Sequence, residues 1–305
     1  MIMHVTRFVT LLLLVTAHGG HLVAQTERPV EPVAYERLAA FADPRIAETS
    51  GVAVSRRYSG VLWTHNDSGD EPLLFATNLR GETLATFVVR GAENRDWEDI
   101  ALGPCPSDAE GRCLYIADTG DNAEQRSDVA IYIVPEPDPS GARAARTGPS
   151  HRLTVTYPTG PHDVEALAVA PDGEISLITK GRRGSVYRFR IPAFRAAREA
   201  VRTGPAETLD IVPTSLASMV TGAAYSPDGT TLVIRTYTEL HFYRREANGE
   251  IVRLGVPCVL GFREPQGEAV DFLDSVTLVL TSEAGFGQPA GLSRVRCPLP
   301  PARVP

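Results

Sequence analysis

Short apolar runs of strand length alternate with Gly-, Pro- and Asp-rich turns along almost the whole chain, and five of the runs share one pattern. The segments are Glu48-Thr-Ser-Gly-Val-Ala-Val, Asp96-Trp-Glu-Asp-Ile-Ala-Leu, Asp163-Val-Glu-Ala-Leu-Ala-Val, Val220-Thr-Gly-Ala-Ala-Tyr and Gln266-Gly-Glu-Ala-Val-Asp-Phe. Each opens on polar or small residues and continues into small and apolar ones. Successive starts lie 48, 67, 57 and 46 residues apart, and periods near 40 to 50 residues are the signature of propeller blades. Each start is followed by a turn and a second apolar run, VLWTHND, LYIADTGD, SLITKG, LVIRTYT and TLVLTSE. A third run with strand-like alternation comes next: PLLFATN, VAIYIVP, SVYRFRI, ELHFYRR and GLSRVRC.

Fourth strands are read at ETLATFVV, HRLTVTYP, ETLDIVP and EIVRLGVPCVL, and the fifth repeat has none. AYERLAAF, ahead of the first repeat, is left over. Pairing it with the last repeat closes the ring and removes the open sheet edge. The pattern therefore predicts an all-β chain: a single β-propeller of five four-stranded blades, with the N-terminal strand closing the last blade. Two interruptions remain. Residues 135–150 read as a mobile Pro-, Gly- and Arg-rich loop, and residues 191–205 as a short surface helix between Pro and Gly-Pro.

The first residues stand apart. Arg7 followed by the apolar stretch Phe8–Ala17, with Ala17 and Ala24 as small residues suited to cleavage, reads as a signal peptide over residues 1–24. The stretch is about half the ~20 residues a membrane span requires. The propeller is then expected over 25–305, exported to the periplasm or secreted, as a monomer without a membrane span. A net charge of -7 and a pI near 5.6 argue against a nucleic-acid partner. In an oxidising compartment the four cysteines are disulfide candidates. Cys105 and Cys113, flanking a turn, form the easiest pair and leave Cys258 and Cys297 for each other.

Candidate chemistry gathers where the inner strands begin and the second strands end, because a propeller brings both sets to one channel mouth. The first set holds Glu48, Asp96, Glu98, Asp99, Asp163, Glu165 and Glu268; the second includes His65, Asn66, Asp67, Asp70, Asp118, Asp121, Asn122, Lys180, Arg182, Arg183, Arg235 and Glu283. So many carboxylates require protons, basic partners or a metal. Hard oxygen donors from several loops suit Ca²⁺ or Mg²⁺. The metal candidates are Glu48, Asp67, Glu98, Asp118, Asp121, Asn122, Asp163 and Glu268. Lys180, Arg182 and Arg235 are candidates for holding an anionic substrate, and Glu165, Asp96 and His65 for catalysis. For any one acid the plain alternative is a structural role, accepting backbone N–H groups of a neighbouring blade. Trp63 and Trp97 are expected to pack between blades, and Arg56 and Arg57 to be solvated on the opposite face. The chain carries no G-x-S-x-G, H-E-x-x-H or Walker motif, so metal-activated water is the expected nucleophile of any hydrolysis.

The stretches SGVAVSRRYSGVLWTHNDSG (50–69), DWEDIAL (96–102), LYIADTGDN with Arg126 and HDVEALAVAPDG (162–173) resemble a family of uncharacterised secreted bacterial β-propeller proteins. The resemblance implies fold and export. More distantly, an acidic ring on five blades is similar to calcium-dependent propeller hydrolases of phosphate esters, a likeness of fold. The functional expectation is a divalent-cation-dependent hydrolase of a small anionic, phosphate-ester-like substrate. The alternatives are a non-catalytic module that binds an extracytoplasmic protein or glycan, and a lactonase-type hydrolase.

Overall fold

The computed structural model describes residues 33–298, apart from 107, 142, 143, 196 and 197; the expected signal peptide lies outside the described residues. Strand β1 (Ala34–Ala40) is followed by blade one, β2 (Thr49–Val54), β3 (Leu62–Asn66), β4 (Leu73–Thr77) and β5 (Thr83–Arg90). Blade two contains β6 (Trp97–Cys105), β7 (Asp108–Asp118) and β8 (Val129–Pro135); after β9 (Ala144–Pro149) the chain adds β10 (His151–Thr156). Blade three contains β11 (Val164–Val169), β12 (Ile175–Thr179) and β13 (Tyr187–Ile191), then, after β14 (Ala200–Arg202), β15 (Glu207–Thr208). Blade four is β16 (Val220–Tyr225), β17 (Thr231–Thr236), β18 (Glu239–Arg245), β19 (Ile251–Arg253) and β20 (Cys258–Val259). Blade five is β21 (Gln266–Phe272), β22 (Thr277–Glu283) and β23 (Gly291–Arg296).

The chain is thus the five-bladed propeller its pattern predicts. β1 pairs antiparallel with β23, from Ala34 opposite Arg296 to Ala40 opposite Gly291, and closes the ring with the N-terminal strand. The inner strands β2, β6, β11, β16 and β21 contact one another in sequence around the channel. Five apolar clusters fill the blade interfaces. Between blades one and two Trp63, Phe87, Trp97, Leu114 and Tyr132 pack together, and between blades five and one Phe41, Val52, Phe75, Val279 and Leu292 do so. The buried indoles donate to Glu136 Oε1 (2.8 Å) and to the Glu93 carbonyl (2.9 Å), so both tryptophans serve packing.

Three local expectations change. Residues 135–150 include β9, which leaves blade two to run parallel to β5 at the edge of blade one. Residues 191–205 include β14, which leaves blade three to run parallel to β10 at the edge of blade two; the expected helix is absent among the described residues. In blades two and three the third-to-fourth strand connection therefore laces the blade to the preceding one. EIVRLGVPCVL splits at Leu254–Pro257 into β19 and β20, both paired with β18. Arg56 donates to the carbonyls of Phe272 and Leu273, so it is engaged on the opposite face. The disulfides are Cys105–Cys113, at the far end of the β6–β7 hairpin, and Cys258–Cys297, joining β20 to the residue after β23. Among the described residues no helix is long and apolar enough to cross a membrane.

Candidate functional site

Every inner strand begins with the same irregularity. Its pairing with the second strand skips Ser50 in blade one, Glu98 in blade two, Glu165 in blade three and Thr221 in blade four; in blade five the shift spans Glu268. A β-bulge takes the extra residue out of the strand alternation and re-aims its side chain. Ser50, Glu98, Glu165 and Glu268 accordingly line one recess of about 40 Å³. Asp67, Asn122, Lys180, Tyr237 and Glu283 join them from the ends of second strands, and Gln266 from the start of β21. Bulges with a hydroxyl lock neighbouring blades: Ser50 Oγ donates to the Glu98 carbonyl and Thr221 Oγ1 to the Glu268 carbonyl, each at 2.7 Å. The bulge register also places the fourth repeat one residue earlier than its sequence suggests, at Met219 instead of Val220.

Five carboxylates of this recess face one amine. Lys180 Nζ donates to Glu165 Oε1 at 2.6 Å. Burial alone would lower the lysine, but Glu165, Tyr237 and Glu98 hold it above its usual range, so it is a fixed cation and not a nucleophile. Desolvation, with the Lys180 charge opposing it, raises Glu165 to about 7. Desolvation together with Asp67 and Glu48 raises Glu283 to about 8. Glu98 and Glu268 are pushed well above the carboxylate range by burial and by neighbouring acids. At the rim, burial and Asp67 raise Asp96 to about 6, and burial raises Asp67 itself. Two triads, Asp67–Asp96–Glu98 and Glu98–Asp163–Glu165, each present oxygens within 4.8 Å of one another, an arrangement able to hold a metal ion.

The other candidates take different places. Asp163 accepts from the Asp121 N–H (3.0 Å) and Arg182 Nε (3.2 Å), and Arg182 also reaches Asn122 Oδ1. Asp121 accepts the Arg126 N–H, and Asp118 accepts the Asp96 N–H and Arg126 Nη1. These acids brace the Asp118–Arg126 loop beside the recess. A methyl on Gly120 of that loop would sit 2.0 Å from Glu98 Oε1, so the glycine is what lets Glu98 turn inward. Glu48 is exposed at the rim. His65 is fully buried outside the recess, edge-on to Trp97 at 5.4 Å, and desolvation lowers it to about 4. Arg235 is also fully buried; it donates to the carbonyls of Ala269 (2.6 Å) and Thr281 (3.0 Å) and pairs with Glu264, tying blade four to blade five. Asp99, one residue past the Glu98 bulge, lies inside the channel and accepts the N–H groups of Ile100 (2.8 Å), Leu167 (2.9 Å) and Ala223 (3.2 Å).

Sequence reasoning places Glu283 in the ring without assigning it a role, and passes over Ser50, Tyr237 and Gln266, whose ordinary residue types carry no signal. One signal is available for Lys180. It is the only lysine in a chain whose remaining basic residues are all arginine, and a compact ammonium fits where a planar guanidinium does not.

Fold and site together define a five-bladed propeller with an acidic channel mouth. No family model matches the chain, and no curated protein matches it. Among solved structures it is similar to the PQQ-bound aldose sugar dehydrogenase of Streptomyces coelicolor, at 12% identity and a TM-score of 0.49, over 87% of this chain and 98% of that one. A Thermus thermophilus protein described as an oxidoreductase (glucose dehydrogenase) matches at 13% identity and 0.47, over 87% and 100%. A protein described as a gluconolactonase matches at 14% identity and 0.42, over 82% and 74%. Likeness at this level carries no activity to this chain.

Proposed function

We propose that the protein is an exported, metal-dependent hydrolase of small anionic substrates that holds a divalent cation of the Ca²⁺ or Mg²⁺ type at the acidic mouth. The observation that carries this reading is the excess of carboxylates: Asp67, Glu98, Glu165, Glu268 and Glu283 meet Lys180 alone. At neutral pH such a cluster requires either shared protons or a cation. Hard oxygen donors from all but the fourth blade match the coordination that Ca²⁺ and Mg²⁺ take, and about 40 Å³ accommodates an ion with a water molecule.

A bound cation would polarise the scissile group and acidify water. Glu165, whose carboxylate lines the recess, is the general base suited to take the proton. Lys180 keeps that carboxylate oriented. Arg182 stands at the rim, paired with Asp163 and Asn122, and is the candidate contact for an outer anionic group. Lys180 and Arg235 are occupied by Glu165 and Glu264, so the anion would meet chiefly the cation itself. The two disulfides fit an oxidising compartment.

The test is calorimetric titration of chelator-stripped protein with Ca²⁺ and Mg²⁺, followed by a phosphate-ester screen. Saturable binding that Glu98→Gln weakens at least tenfold, with turnover that Glu165→Gln abolishes, is the expected result. Absence of both heat and thermal shift would sink the metal, and binding without turnover would leave a cation-dependent binding module.

A further inference from the structure

The mouth face carries a second feature, over blades four and five. Val212, Leu216, Phe262 and Phe286 are all exposed there, Phe262 at 85% and Phe286 at 93% of their surface. Scattered apolar residues need no explanation, but these lie on loops in direct contact. The Leu260 and Gly261 N–H groups donate to the Thr238 carbonyl at 2.8 and 3.1 Å. Thr238 Oγ1 donates to the Ala217 carbonyl at 3.0 Å, and a methyl on Gly285 would lie 3.3 Å from Pro265. The loops before β16, between β17 and β18, before β21 and between β22 and β23 thus form one arc.

The arc and the acidic recess share a wall. Tyr237, Gln266 and Glu283 line the recess and stand next to Thr238, Pro265 and Ala284 on those same loops. Phe286 adds an independent observation. It sits at the apex of the Gly285–Gln288 turn with φ of 49°, followed by Gly287 at 77°. Such hairpin turns favour Asn, Asp or Gly at the first central position, and a bulky side chain there is strained. The strain positions an aromatic ring that packs against nothing in its own fold, which is the mark of a functional site.

We propose that this arc is the subsite for the apolar arm of the ligand whose polar head enters the recess, so that the substrate class is an amphipathic anionic ester with an alkyl or aryl arm. The inference rests on the reading above only for the place of the head. A net charge of -7 opposes binding to an anionic lipid surface.

The experiment titrates methyl, butyl, hexyl and octyl phosphate into the full chain, once with saturating Ca²⁺ and once with a chelator. Affinity is expected to rise about two- to fourfold per methylene. Phe286→Gly, which relieves the backbone strain, should flatten that series about tenfold at octyl phosphate, leave methyl phosphate and Ca²⁺ binding unchanged, and not lower Tm. Phe262→Ala is the second variant and should flatten it as well. A series flat in the wild type, or a slope that survives both substitutions, overturns the proposal. So does dimerisation, or co-sedimentation with phosphatidylcholine vesicles, that Phe286→Gly abolishes. A slope that persists in chelator without any Ca²⁺ heat supports the arc and removes the cation; Ca²⁺ heat with a flat series removes the arc and keeps the cation.

Discussion

Lys180 Nζ lies 2.6 Å from Glu165 Oε1, and among the described residues this is the one amine lining a recess that five carboxylates share. Removing a partner from a buried pair costs about 3–5 kcal/mol where the remaining charge cannot be neutralised. Glu165, near pKa 7, can take up a proton instead. Lys180→Met should therefore cost little at pH 6 and about 1–3 kcal/mol at pH 8 in cation-free protein, and Ca²⁺ should restore most of the loss. Lys180→Arg overfills the recess and should cost about 1–3 kcal/mol at both pH values. Urea unfolding with and without chelator measures all four; a Lys180→Met cost that is equal at pH 6 and pH 8 would contradict the assignment.

The raised carboxylates set the pH dependence. Their folded pKa values, about 6 for Asp96, 7 for Glu165 and 8 for Glu283, lie above the unfolded values near 4. The folded state thus binds more protons than the unfolded chain between about pH 4 and 8, so the stability these groups contribute is complete below pH 4 and is lost as pH rises through 8. Cation-free protein should show a Tm that declines from pH 5 to pH 8, whereas Ca²⁺-loaded protein should not. Ca²⁺ affinity should rise over the same window with release of protons, readable from calorimetry in buffers of different ionisation enthalpy. Binding without proton release would show that the acids are not the ligands.

The repeat made the blades and the closing strand legible, because period and alternation survive in any aqueous propeller. The acids were legible as a set but not sorted. Glu98 and Asp99 are adjacent and chemically alike, yet the bulge sends Glu98 to the recess while Asp99 stays in the channel; only pairing register separates them. Arg235 reads as a substrate-holding cation from its place at the end of a second strand, and is buried because Gly267, across the blade interface, leaves room for its guanidinium. The two edge strands were missed although they share a signature: Arg-Thr-Gly-Pro recurs at 146–149 and 202–205, directly ahead of a fourth strand each time. Taken as a repeat instead of as loop composition, that motif marks both crossovers.

Asp99 leads to a prediction that separates architecture from chemistry. Its carboxylate accepts N–H groups from its own strand, from blade three and from blade four. Asp99→Ala would leave three buried donors without a partner, at about 1–3 kcal/mol each before relaxation and water entry. A net loss of roughly 3–5 kcal/mol in urea unfolding is expected, with Ca²⁺ affinity of the folded fraction within about twofold of wild type. A tenfold loss of affinity at unchanged stability would place Asp99 among the ligands.

The two disulfides should differ in weight for a topological reason. Cys105 and Cys113 are 8 residues apart and staple a hairpin that its own ladder already holds. Cys258 and Cys297 are 39 apart and join the outer part of blade four to the chain just past β23, the strand on which β1 closes the ring. Loop-closure entropy in the unfolded chain gives about 2.5 kcal/mol for the short loop and about 4 kcal/mol for the long one. Local β pairing offsets loss of the first, whereas loss of the second also frees Cys258 and Val259, which anchor the loop leading to Phe262. Cys258→Ser with Cys297→Ser should therefore lower unfolding free energy more than Cys105→Ser with Cys113→Ser, and should increase hydrogen exchange in β1, β20 and β23 together. Equal losses, or exchange confined to β20, would show that ring closure rests on the β1–β23 ladder alone.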